Sequence, residues 1–325
     1  MSGADKRRAL RICLAALRPY PEVNDRPLGE TLERLGQSER LIGLLWEPLC
    51  LATLNTPLAE ASTAMFLHVL RESFSRRRAD SDLLIARTDL GALFPDPARA
   101  FIERHGGEIL LGRRVTTLKI VDDRISALTL NDGSEISARD VIVALPAPAM
   151  ARLLAPHEAL TPIATRLEQI RHEPITTVFL HYPSHVRLDF PLYGLHDTLG
   201  HWVFDRGADG QHGLMSVVIS GGGRHMEMDN ETLARGVAAE LAQLFRDWPS
   251  ALEHWVIREK RATFVCAPGI NALRPDHSTP VTGCWLAGDA TATGLPATLE
   301  GAVRSGLAGA RQILAECSGL GPAGH

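Results

Sequence analysis

The stretch "CWLAGDATATGLPATLEGAVRSG", residues 284–306, decides the fold. Cys284-Trp285-Leu286-Ala287 is a short apolar run of the kind that forms a buried strand, and it ends in Gly288-Asp289. A loop closed by Pro296 follows. From Thr298 to about Ala315 the apolar residues Leu299, Ala302, Val303, Leu307, Ala310 and Leu314 recur at helical spacing. The pattern predicts a strand, a tight corner and a helix whose apolar stripe faces the core. Gly288 lets the backbone approach a ligand closely. Asp289 can accept hydrogen bonds from ribose- or ribityl-type hydroxyls. The unpaired N–H groups around Ala297, Thr298 and Leu299 would carry the positive end of the helix dipole. An electron-rich ring carbonyl suits them. Spacing alone leaves a plainer account open, in which Thr298 caps its helix and Asp289 caps a turn.

Working outward, Val141-Ile142-Val143-Ala144-Leu145 is apolar on both faces, as a strand inside an α/β layer should be. Before it, residues 113–140 alternate as a β-meander, with Asn131-Asp132-Gly133 as a tight turn. "DPARAFIERHGGEILLG" (96–112) predicts a helix burying Phe101 and Ile102, a Gly106-Gly107 stop and a strand. The first 80 residues predict helices. One has Leu10, Leu14 and Leu17 on one face, one runs from a Ser38 cap to near Pro48, and one covers about Ser62 to Phe74. Residues 151–259 mix short strands with a helix from about Glu231 to Phe245.

The fold class is therefore mixed α/β and α+β. Residues 81–150 and 260–325 form the two parts of one α/β domain. The helices of 1–80 and the helix-and-sheet segment 151–259 form a second, interleaved domain. With 325 residues, 45% of them apolar and 22% charged, the chain has the composition of a globular protein that can bury a sizeable core. A net charge of −4 with mixed signs gives no electrostatic case for nucleic acid. Cys13, Cys50, Cys266, Cys284 and Cys317 form no paired motif and the histidines no metal set, which points to a reduced, cytoplasmic setting without a metal. No segment reaches the roughly 18 apolar residues of a membrane span, which leaves peripheral membrane contact open.

"LAGDATATGLPATLEGAVRSG" (286–306) resembles the C-terminal FAD-binding motif of the amine oxidase and phytoene desaturase superfamily. Together with "LLWEPLCLATLNTP" (44–57) and "VIREKRATF" (256–264), it resembles the squalene-associated FAD-dependent desaturases, or hydroxysqualene dehydroxylases, of hopanoid biosynthesis. The resemblance implies a Rossmann-like FAD-binding domain of the amine oxidase type with an interleaved substrate domain. It implies FAD as cofactor and a long isoprenoid as substrate. It places Gly288 and Asp289 at the ribityl or pyrophosphate region, and Pro296, Ala297, Thr298 and Leu299 at the pyrimidine edge of the flavin. It also places the backbone of Val115, in "GRRVTTL" (112–118), at the adenine; an ordinary core valine is the other reading.

The superfamily's opening strand, Gly-x-Gly-x-x-Gly turn and helix have no counterpart in the sequence. Ser220-Gly221-Gly222-Gly223 has the wrong spacing and is expected to be a flexible loop. The FAD-binding domain is thus incomplete, and a second chain could supply the missing nucleotide-binding unit. No proton donor is evident. Glu47, before Pro48 in an apolar stretch, is a weak catalytic candidate because a buried carboxylate needs a partner. Arg261 is another, pairing with such a carboxylate, with a phosphate or with solvent. Glu300 suits the first turn of a helix. Other flavin enzymes, on carotenoids or amines, and a non-catalytic remnant remain as alternatives.

Overall fold

The computed structural model describes residues 3–18, 20, 24–74 and 77–317, the side chains of Asp80 and Cys317 excepted. Three sheets organise it. The strands β1 (Val115–Val121), β2 (Arg124–Leu130) and β3 (Glu135–Ser137) form the antiparallel meander, closed by the Asn131-Asp132-Gly133 turn. The strands β4 (Val141–Val143) and β10 (Cys284–Leu286) pair in parallel, Ile142 opposite Trp285. Between them in sequence lies an antiparallel five-stranded sheet in the order β6-β7-β8-β5-β9. Its strands are β5 (His172–His181), β6 (Leu192–Gly194), β7 (Trp202–Asp205), β8 (Leu214–Ser220) and β9 (Glu253–Phe264).

Two apolar cores result. One joins the N-terminal helices, through Ile12, Leu32, Phe66 and Leu70, to the meander, to the helices Ala147–Leu154 and Thr161–Glu168, and to Cys284 and Leu286. The other lies between the five-stranded sheet and the helix Asn230–Leu244. Asn55 ties the two parts together. It ends the helix Glu47–Leu54 at φ +47°. Its side-chain amide donates to the Pro174 carbonyl (3.2 Å) and the Thr263 hydroxyl (2.9 Å) and accepts from the Gly221 N–H (2.7 Å). A second bond, from the Gly222 N–H to Glu173 at 2.7 Å, pins the loop after β8. The glycine run expected to be flexible is therefore anchored at two successive amides.

Ser38 caps the helix that follows, accepting from the Leu41 N–H at 3.3 Å, but the chain does not stop near Pro48. A π-helical turn, Ile42–Trp46, intervenes, and Glu47–Leu54 continues as α-helix with Pro48 in its first turn. The wider turn lets a residue without an N–H sit mid-way in a longer helical run.

Three apolar faces lie outside the core, against expectation. In the helix Gly3–Ala16 the buried residues are Asp5, Ile12 and Ala16, whereas Leu10, Leu14 and Leu17 are exposed. The helix Pro95–Arg104 buries nothing, so Phe101 and Ile102 face outward, and no strand forms over 108–111. The last helix, Leu299–Cys317, turns Gly301, Ser305 and Gly309 inward and leaves Leu299, Val303, Leu307 and Leu314 exposed. Its apolar stripe is real, but it faces away from the core.

Thiol reactivity follows from the packing. Burial raises the Cys50, Cys266 and Cys284 thiols above their ordinary range, Cys266 to about 12, while Cys13 is exposed. Because the thiolate is the nucleophile, iodoacetamide at pH 8 should alkylate Cys13 in the native protein at least about 100-fold faster than the three buried thiols. Peptide mapping reads this directly. Native labelling of Cys266 at the rate of Cys13 would refute the buried arrangement.

Candidate functional site

The Gly288 corner is built before any ligand arrives. After β10, Ala287 donates to the Val143 carbonyl at 3.0 Å, and Gly288 turns the chain at φ +118°. A Cβ there would meet only the Leu145 carbonyl oxygen, at 3.8 Å, so the glycine answers to backbone conformation and not to crowding. The fully buried Ser305 hydroxyl, reaching out of the last helix, accepts from the Gly288 N–H at 2.9 Å and bonds the Thr291 hydroxyl at 2.8 Å. Thr291 in turn donates to the Gly288 carbonyl at 2.8 Å.

Arg274, only 2% exposed, braces the loop from the other side. One guanidinium nitrogen donates to the Asp289 carbonyl (2.9 Å) and the Thr293 hydroxyl (2.8 Å), the other to the Asn271 side chain (3.1 Å). The guanidinium carbon stands 4.8 Å from the centre of the Phe264 ring. Asp289 itself is half-buried.

At the helix start the capping account holds. The Thr298 hydroxyl accepts from the Gly301 N–H at 3.1 Å and donates to the Pro296 carbonyl at 3.3 Å, and Pro296 is buried. Capping consumes one of the orphan donors. The N–H groups of Leu299 and Glu300 remain beyond the reach of any intrahelical acceptor, at the positive end of a 19-residue helix. Ala297 is half-buried and Leu299 exposed. Glu300 pairs with Arg304 at 2.7 Å, one turn on, which accounts for it without a ligand.

Val115 is half-buried and lines a groove of about 760 Å³ with Arg114, Ile142, Ala144 and Leu145. Leu145 also borders Gly288. The strand-end valine and the glycine corner therefore lie along one cleft, although 173 residues separate them in sequence.

The two weak catalytic candidates are not brought together. Glu47 is exposed at the junction of π- and α-helix, so the premise that it is a buried carboxylate falls. Arg261 is exposed on β9, its N–H bonded to Glu259 at 3.1 Å. Its charge does reach His172, which also feels Asp289. Burial, reinforced by Arg261, lowers the His172 pKa below its ordinary value. His172, Arg274 and Ser305 are the site residues that sequence reasoning missed. A lone arginine in "INALRP" (270–275) and a serine among small helix residues were the available signals.

These features fit a flavin on the side of the corner and the helix start. The phosphate side has no counterpart: among the described residues, no glycine-rich turn leads from a strand into a helix. The family model of flavin containing amine oxidoreductases matches residues 2–314. The chain belongs to that family. It is 31% identical to a hydroxysqualene dehydroxylase of Rhodopseudomonas palustris over 89% of its own length and 65% of the relative's. To that of Sinorhizobium fredii it is 34% identical over 84% and 62%. The chain thus spans less than two thirds of the curated relatives it matches. In fold it is similar to an oxidoreductase from Methanosarcina mazei, with a TM-score of 0.72 at 14% identity, covering 96% of this chain and 73% of that one. The family is flavin-containing, and its fold is the mixed helix-and-sheet type expected. No described helix is long and apolar enough to cross a membrane.

Proposed function

We propose that this chain is the flavin-facing and substrate-binding part of an FAD-dependent oxidoreductase acting on a long isoprenoid. The reaction we assign is the reductive dehydroxylation of hydroxysqualene to squalene. The observation that carries the reading is the prebuilt corner, in which Ser305, Thr291 and Arg274 hold Gly288-Asp289 beside a helix N-terminus. The likeness to the two dehydroxylases supports the choice of substrate class.

FAD, when bound and reduced, supplies hydride chemistry. The substrate carbon gains the hydride as its C–O bond breaks, and the hydroxyl leaves as water after taking one proton. The chain's own part is binding and orientation. The Asp289 carboxylate accepts from a ribityl hydroxyl, and the Leu299 and Glu300 N–H groups face the pyrimidine edge, where charge develops on reduction. The Val115 backbone meets the adenine.

A cavity of about 190 Å³ between Met65, Leu67, His68 and Gly294 adjoins the corner. It is smaller than the roughly 300–1,000 Å³ of ordinary small-molecule sites. A C30 chain would therefore need the helix Thr63–Phe74 to move outward or the substrate to extend beyond this space.

The test is the visible spectrum and flavin stoichiometry of the purified chain, with and without added FAD, followed by turnover of hydroxysqualene under a reductant. FAD bound near one per chain, with squalene formed, is the expected result for an intact site. FAD that never binds, even when the phosphate-side unit is supplied, would overturn the reading in favour of a non-catalytic remnant.

A further inference from the structure

Among the described residues, strand β4 has a neighbouring strand on one side only. Val141 donates to the Gly283 carbonyl at 2.7 Å, and Val143 accepts from Ala287 at 3.0 Å, so both turn their backbone toward β10. Alternation then turns the Ile142 N–H and C=O to the opposite edge, which borders the groove holding Val115. Parallel sheets are normally covered on both faces and have more than two strands. Beside this edge runs the last helix: a Cβ on Gly309 would lie 3.9 Å from the Ile142 side chain. Its outward residues Leu299, Val303 and Leu307 are 42–76% exposed. A parallel edge without a further strand, next to an exposed apolar helix face, is half of a strand-and-helix layer.

We propose that this edge and stripe dock a strand–helix–strand unit that lies outside these 325 residues. One strand of the unit adds in parallel to β4 at Ile142, and apolar side chains of the unit cover Val303 and Leu307 on the last helix. The inference rests on the function proposed above, because a glycine-rich strand-to-helix turn in such a unit would bring the phosphate cradle that these 325 residues lack.

Length argues for an outside source. A strand–helix–strand unit takes about 30 residues or more, and residues 1–2 and 318–325, flanking the terminal helices, are too few. The match covers 96% of this chain but only 73% of its fold neighbour, so that chain holds more than is present here. A second copy of this chain is a poorer occupant. Two copies related by a two-fold axis would bring their β4 edges together antiparallel, which does not extend a parallel sheet.

The experiment co-expresses the full chain with a separately tagged probe, the segment of the Sinorhizobium fredii relative that lies outside its match to this chain. The expected result is a 1:1 complex through size exclusion, with exchange at the Ile142 amide slowed at least about tenfold. Val303→Glu with Leu307→Glu, both on exposed positions that folding does not need, should abolish it. A complex that survives the double variant, or that leaves Ile142 unprotected, overturns the proposal. So does a homodimer of the chain that the double variant dissociates. A readout independent of the probe is the chain alone with an apolar fluorescent dye, whose signal the double variant should cut at least about threefold. An unchanged signal means the stripe is already covered, and the proposal fails. None of these readouts needs flavin. A complex that binds no FAD keeps the docking face and removes the proposed function, and FAD binding by the chain alone, without the probe, does the reverse.

Discussion

Replacing Gly283 with alanine is expected to cost about 4 kcal/mol of stability, the sum of a backbone clash and left-handed strain. Gly283 sits at φ +77° at the entry to β10, where a Cβ would come within 2.1 Å of the Arg139 carbonyl oxygen. No real Cβ tolerates that distance, and the obstructing atom is backbone, so it cannot rotate aside. Moving Arg139 and Asp140 away would break the Val141 N–H bond to the Gly283 carbonyl, which sets the register of β4 against β10. That register positions Gly288 five residues later. The loss is a large share of the roughly 5–15 kcal/mol that keeps a domain folded.

Chemical denaturation should show the transition of the Gly283→Ala protein shifted far below the parent, or no cooperative transition at all. Gly133→Ala is the control, since Gly133 has φ +82° with nothing within 4 Å of a Cβ. It should lose only about 1 kcal/mol, the strain alone. Equal losses in the two variants would mean that the Arg139 contact is not what demands glycine at 283.

How much of this was legible beforehand depends on where the determining contacts lie in sequence. The strands of the meander, β8, β10 and the helix of 230–244 were readable because their signals are local: alternation, a tight turn, helical spacing. The corner was readable for the same reason. Burial of Phe101, Ile102 and the last helix's stripe was misjudged, because periodicity reports that a face is apolar but not whether the partner for that face is in the same chain. Those misjudged faces are the ones a complete nucleotide-binding layer would cover. Glu47 failed for a different reason. A π-helical turn just before it shifts the phase of the helix and rotates the carboxylate outward, and nothing in "GLLWEP" (43–48) announces a π turn. Asn55, Ser305 and Arg274 act through partners 14 to 208 residues away, beyond any local pattern.

Arg274 gives the second large effect. Arg274→Met is expected to lower stability by about 3 kcal/mol, since hydrogen bonds to a charged group contribute about 1.5–3 kcal/mol each and removal of a desolvated charge returns part of the loss. The substitution fills similar space but takes away the donor that serves the Asp289 carbonyl, the Thr293 hydroxyl and the Asn271 amide oxygen. Arg274→Lys should recover little. An ammonium cannot span acceptors on two sides while lying over the Phe264 ring as the planar fork does. Arg304→Met is the comparison, because Arg304 makes an exposed one-turn pair with Glu300, a contact worth about 0.3–0.5 kcal/mol. Denaturation midpoints decide between a structural brace and an incidental contact. Hydrogen exchange then locates the effect: Arg274→Met should speed exchange at the amides of Thr291 to Leu295, whereas Arg304→Met should leave them unchanged. If Arg274→Met is no worse than Arg304→Met and the loop stays protected, Ser305 and Thr291 hold the corner by themselves. If the loop loosens as expected, the shape presented by Gly288-Asp289 is set by a residue that never touches the ligand, and FAD retention should fall with Arg274→Met in proportion to the loop's loss of protection.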